Sequence, residues 1–234
     1  MNEHVVERDL GPHALSPARA RYLAAARTAL ELLRSPDVAT RWDEASVLAQ
    51  LTVGDLAGHL TLSGVLLVEM LLDGADPAAA QPVSAGEYYG AAEGLDDLDA
   101  PINVDLRSRS RTVGVRGAED VARAASDALE RLADRLSAES AGRQVLSRGL
   151  ALTLDEFLRS RCVELAVHVE DLELSVGLGP GLTAADPVPE VPDDVLTDAV
   201  DVLVTAAVAR HGTAAVLRAL TRRERDQVQA LRVF

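Results

Sequence analysis

The sequence predicts an all-α protein built on a four-helix bundle, and three observations carry that expectation. Four long stretches place apolar residues at helical spacing between clear start and stop signals. One of them, from Leu56 to Leu72, is apolar nearly all the way round, as a helix at the centre of a bundle would be. Another lies within the uninterrupted run from Leu152 to Val176, where two opposed polar stripes are separated by two apolar flanks. A helix of that kind needs neighbours on both sides, so one of its polar stripes must face inward.

Taken in order, residues up to about Leu15 read as a loose arm. Ser16-Pro17 starts the first helix, with Ser as N-cap and Pro in the first turn, and Tyr22, Leu23, Ala26, Leu30 and Leu33 share a face. Ser35-Pro36 stops it, and a connection through Trp42 leads to Leu51. Thr52-x-x-Asp55 then opens the second helix in the manner of a capping box, and Asp73-Gly74 ends it. From Gly74 to about Gly114 the chain is rich in Gly, Pro and Asp, a length and composition that suit a lid or pocket wall. Within it INVDLRSRSRTV, with Arg107, Arg109 and Arg111, reads equally as a short helix or an extended segment. The third helix, Ala118 to about Glu139, turns Val121, Ala125, Leu129, Leu132 and Leu136 inward and spaces Glu119–Arg123 and Asp127–Arg131 for ion pairs. The fourth starts near Thr153 and is closed by Gly177. GLGPGLTAADPVPEVP is a linker by composition, and two short helices follow, Asp193 to about Arg210 and Thr213 to about Leu231, broken at His211-Gly212. The expected organisation is a bundle over residues 1–178 and a linker with a C-terminal helical extension over 179–234.

Composition bounds the function. A net charge of −14 argues against nucleic acid and anionic membrane surfaces, and 3% aromatic residues leave few platforms for stacking bases. The polar N-terminal stretch does not read as a secretory leader, and the Leu56–Leu72 segment carries His59 and Glu69, so a buried helix is expected rather than a membrane anchor. The cytoplasm is the expected compartment. The single cysteine, Cys162, excludes an intramolecular disulfide and reads as a small apolar filler turned about 160° from Glu164 around the helix.

In the fourth helix Arg161, Glu164, His168 and Asp171 fall on one stripe, and Asp155, Arg159, Glu170 and Glu173 on the other. The second stripe, with Asp155 and Arg159 at i,i+4, reads as the solvated one, which turns Glu164 and His168 toward the middle of the protein. Either alone fits a buried ion pair or a satisfied core histidine. His59 on the other apolar helix changes the weighing, because nothing in its surroundings otherwise calls for an imidazole. One His from one helix and a Glu/His pair from another give three ligands with positions left open, the pattern of a catalytic zinc or similar divalent site. Asp171, one turn beyond His168, either orients an imidazole or is a solvated carboxylate.

Trp42, LTVGDLAGHL (51–60) and RCVELAVHVEDLELSVG (161–177) resemble the mycothiol-dependent maleylpyruvate isomerase family, whose metal-binding domain is a DinB-like four-helix bundle. The resemblance implies metal ligation by His59, Glu164 and His168, with zinc the most expected ion. It also implies mycothiol as a low-molecular-weight thiol cosubstrate whose sulfur, activated as a thiolate, attacks a small-molecule electrophile in a transferase or isomerase reaction. Arg161 and the arginines at 107, 109 and 111 are then candidates to hold the ligand, against the reading of the last three as solvated charges. A metal-dependent hydrolase using bound water, and a non-catalytic ligand-binding bundle, are the alternatives. A homodimer is left open.

Overall fold

The computed structural model describes residues 15–77, 80–95, 97–178, 190–221 and 231; the arm before Leu15 and most of the 177–192 linker lie outside the described residues. Among these the chain is helical apart from one two-stranded sheet. Helix α1 (Pro17–Leu33) begins as expected, with Ser16 accepting from the Arg19 amide, and buries Tyr22, Leu23, Ala26 and Leu33. Ser35-Pro36 does more than stop it. It caps a further short helix, α2 (Pro36–Thr40), in which the Ser35 side chain accepts from the Asp37 amide.

The central helix is α3 (Val53–Thr61), a π turn (Leu62–Leu66) and α4 (Leu67–Leu72) in one continuous 20-residue run. Thr52 and Asp55 form the reciprocal capping box. By length and composition this run could cross a membrane, but most of it is buried among the other helices. The π turn was not legible in the sequence. Side chains from elsewhere reach two of its carbonyls: the Tyr22 hydroxyl donates to Gly64 O at 3.1 Å and Arg161 Nη1 to Ser63 O at 3.1 Å.

The Gly74–Gly114 connection contains two helices. Ser84 and Glu87 make a second capping box that opens α5 (Ala85–Gly90). The arginine-bearing stretch resolves as a helix, α6 (Pro101–Gly114), packed against α3. That packing is a backbone-to-backbone approach. A Cβ on Gly58 would stand 2.4 Å from Ser110 O, and one on Gly114 would stand 2.6 Å from Gly54 O. Trp42 locks the crossing, its indole N–H donating to Gly114 O at 3.1 Å.

Helix α7 (Ala118–Ala138) buries the five residues expected of it. Of its two anticipated ion pairs, Glu119–Arg123 forms at 3.7 Å, while Arg131 reaches across to Glu69 (2.9 Å) rather than to Asp127. A hairpin of β1 (Gln144–Ser147) and β2 (Leu150–Thr153) follows, too short to leave a clear alternating pattern. Its turn holds Arg148 and Gly149 at positive φ, the conformation that suits the strand twist. Helix α8 (Leu154–Ser175) is capped by Thr153 and ends in a Schellman motif at Gly177, with the Leu178 amide on Glu173 O at 2.8 Å and the Gly177 amide on Leu174 O at 3.3 Å.

Helix α9 (Asp193–His211) lies across α1, α5 and α8, and its Val195, Val202 and Ala206 belong to the same apolar core as the bundle. This corrects one expectation. The Asp155/Arg159 stripe is not a free solvated face. Asp155 binds Arg19 of α1 at 2.9 Å, and Arg159 binds Glu156 and, on α9, Asp198 and Asp201 at 3.1, 2.9 and 2.9 Å, so the presumed i,i+4 pair is replaced by ion pairs to neighbouring helices. Of the four residues of the stripe only Glu170 is exposed. Helix α10 (Thr213–Thr221) begins beyond Gly212, whose positive φ breaks the run as expected; the remainder of the anticipated helix, up to 230, lies outside the described residues.

Candidate metal centre

The two long core helices bring His59 and the Glu164/His168 pair together. Their ligand-type atoms all lie within 4.8 Å of one another. Glu164 Oε2 is 3.5 Å from His59 Nε2 and 3.6 Å from His168 Nε2, and the two imidazoles meet edge to face at 4.5 Å. His59 is buried, but the Glu164 and His168 side chains are each 18% exposed, so the cluster opens toward solvent.

Each of the three donors has its other polar atom held by a partner. His168 Nδ1 is 2.9 Å from Asp171 Oδ2, the i+3 carboxylate of the same stripe. His59 Nδ1 is 3.3 Å from Ser110 Oγ on α6, whose own hydrogen goes to Leu106 O at 2.7 Å. Ser110 is therefore placed to accept from Nδ1–H, the tautomer that leaves the Nε2 lone pair for a metal; Ser63 Oγ, whose own hydrogen goes to His59 O at 2.8 Å, lies 3.3 Å from Nε2. Glu164 Oε1 receives the Tyr89 hydroxyl at 2.7 Å. Facing one another at the common point are His59 Nε2, Glu164 Oε2 and His168 Nε2.

The electrostatics agree with that geometry. Burial would raise the Glu164 carboxyl, but Arg161 at 4.0 Å and the two histidines outweigh it and hold it well below the ordinary range. Burial, reinforced by His168, pushes His59 down, so it is neutral. Burial also acts to lower His168, yet the hydrogen bonds to Asp171 and Glu164 prevail and raise it to about 9. Arg161 is 4% exposed; besides Ser63 O its guanidinium donates to Ser160 Oγ and stacks over Phe157.

Of the other arginines, Arg109 pairs with Asp105 at 2.9 Å, and Arg111 with Gln50 O at 2.8 Å and Asp55 at 3.6 Å. Arg107 is half-buried one turn before Ser110 on the same helix. Cys162 is fully buried, and burial lifts its thiol to about 12, which fits an apolar filler. Sequence reasoning missed Tyr89 and Ser110 altogether. The Ser84-x-x-Glu87 capping box was the available signal for α5, and Tyr89 is its fifth residue.

The donor set fits a divalent ion: two neutral-capable imidazoles and one ionised carboxylate, all converging, with their outer atoms already satisfied. An open groove of about 510 Å³ between α1, α2 and α7 includes none of these residues.

Fold and site together define a helical-bundle protein with a His–Glu–His donor cluster between its two central helices. Residues 22–173 match the family model of the mycothiol maleylpyruvate isomerase N-terminal domain, and the chain belongs to that family. Searches of curated proteins and of solved structures return no significant match.

Proposed function

We propose that His59, Glu164 and His168 hold one divalent ion, zinc by the nature of its donors, and that the protein is a cytoplasmic transferase or isomerase using mycothiol against a small-molecule electrophile. The observation that carries the reading is the convergence of Nε2, Oε2 and Nε2 while Ser110, Tyr89 and Asp171 occupy the opposite atoms. Family membership adds the thiol. When bound, the ion supplies positive charge that lowers the pKa of a thiol placed beside it.

The remaining work falls to this chain's own residues. Asp171 and Ser110 fix the tautomers of His168 and His59, so that each presents a lone pair to the common point. Arg161 keeps Glu164 ionised and, at the floor of the site, is the charge available to an anionic part of the ligand. Cys162 lies buried with a raised pKa, so the nucleophile is expected to come from outside. Arg107, at the edge of α6 beside Ser110, is a second candidate for ligand contact.

The test is a cobalt-substituted protein titrated with mycothiol. A sulfur-to-metal charge-transfer band that saturates at about one thiol per metal supports the reading. Metal without that band, together with thiol-independent ester or amide hydrolysis, moves the site to the hydrolase class. No metal after reconstitution overturns the centre itself.

A further inference from the structure

Tyr89 has no place in the family-level reading of the site, yet it makes one of the shortest side-chain contacts there. It sits on α5, a six-residue helix that the rest of the fold clamps in place. The neighbouring Tyr88 hydroxyl meets Ser147 Oγ at 2.8 Å, and Arg148 stacks over the Tyr88 ring at 3.7 Å while donating to Tyr88 O at 3.1 Å. The α5 amide of Ala85 donates to Glu156 on α8 at 2.7 Å. On the other side, a Cβ at Gly86 or Gly90 would strike Thr205 or Ala209, so α9 is pressed directly on α5. The hairpin, α8 and α9 thus fix the register of a short helix whose buried tyrosine ends on Glu164.

The two oxygens of that carboxylate have different partners. Oε1 takes the Tyr89 hydroxyl at 2.7 Å, with Arg161 at 4.0 Å, and Oε2 faces both histidines. The Tyr89 hydroxyl also lies 2.9 Å from Ser160 O, but a phenol has one hydrogen, and the ionised carboxylate is the stronger acceptor. Burial, with the Glu164 charge behind it, holds the Tyr89 hydroxyl well above its usual pKa, so it stays a donor.

Resting on the metal reading above, we infer that Tyr89 is a positioning residue that commits Oε1 and leaves Glu164 a single oxygen, Oε2, to present beside the two histidines. Without that commitment the carboxylate would be free to offer both oxygens and fill the position that an incoming thiol needs. The role is steric and electronic at once: it keeps the donor count at three.

Tyr89→Phe removes one hydroxyl and keeps the ring, and Ser126→Ala on α7, which loses only a contact with Arg34, is the control. Each is loaded with cobalt, and the visible spectrum, metal affinity and binding of a simple thiol, cysteine, are measured. In Tyr89→Phe we expect weaker d–d absorption, as for a higher coordination number, and thiol binding weakened about 10–100-fold, the range for lost partners of metal ligands. Infrared spectra of the loaded protein should show the symmetric–asymmetric carboxylate separation narrowing, as for two-oxygen ligation. Ser126→Ala should match the wild type. If wild type and Tyr89→Phe bind cobalt with the same spectrum and the same thiol affinity, the assignment is wrong while the metal centre stands. If the wild type binds no cobalt, the centre and the assignment fall together.

Discussion

At the residue scale the centre depends on three hydrogen bonds made away from it. Asp171 is the one whose removal is easiest to read, because the amide of Asp171→Asn keeps the shape and loses the charge. Metal affinity should fall about 10–100-fold, measured by competition with a chelator, while His168→Ala should abolish binding. The raised His168 pKa of about 9 adds a proton count. Near pH 7.5 the metal-free protein carries that proton, so binding must expel it, and calorimetry in buffers of different ionisation enthalpy should report release of about one proton per metal. Because the folded pKa lies above the ordinary 6.5, the contribution of His168 to stability is complete below about pH 6.5 and is lost as pH rises through 9. Denaturant midpoints of the metal-free protein should carry that falling component, and His168→Ala should lack it. A metal titration releasing no protons would mean His168 is already neutral.

At the element scale, the glycine crossing of α3 and α6 decides whether Ser110 can reach His59. Gly58 stands over the Ser110 carbonyl with no room for a methyl group, and the obstructing atom is backbone. Gly58→Ala must therefore push the helices apart, at a cost of about 1–3 kcal/mol in denaturant unfolding. It should also weaken metal binding, since the 3.3 Å Ser110 contact opens with it. A variant as destabilised but distant, Leu129→Ala in α7, should leave metal affinity unchanged. Equal metal affinity in Gly58→Ala would separate the crossing from the site. The element also explains a motif. The glycine at 54 and Trp42 are legible in sequence only as part of a resemblance, yet the indole binds Gly114 O beside Gly54 and so closes the same crossing from outside.

At the scale of the whole molecule, α9 ties the C-terminal part to the site through α5. Its Val195 and Val202 are fully buried, and about 1.5–3 kcal/mol is gained for each such side chain. Ending the chain at 178 should lower stability by several kcal/mol. It should also reproduce the Tyr89→Phe spectrum, because α5 loses the helix pressed against Gly86 and Gly90. A truncated protein with normal stability and a wild-type cobalt spectrum would show that the bundle positions α5 alone.

The helices were legible because their signals are local. Ser16-Pro17, Thr52-x-x-Asp55, Thr153 and Gly177 each satisfy backbone groups within a few residues, so the sequence alone places those ends. The inward stripe of α8 was legible for a related reason, since periodicity tells which residues share a face. Periodicity does not tell what covers a face. Asp155 and Arg159 read as solvated charges, but Asp155 pairs with Arg19 of α1 and Arg159 with Asp198 and Asp201 of the docked α9. The π turn, the hairpin and α5 were decided the same way. Each is too short to be stable by its own hydrogen bonds. Tertiary contacts hold them: Tyr22 and Arg161 bond carbonyls of the π turn, the hairpin binds Tyr88, and α9 presses on Gly86 and Gly90 of α5. The residues with ligand chemistry, His59, Glu164 and His168, could thus be named from the chain alone. Which of their atoms face one another was set by Ser110, Tyr89 and Asp171, and two of those three arrive through contacts more than 50 residues apart in sequence. Long-range contacts leave no periodic trace in a single chain, which is why tertiary structure alone decided them.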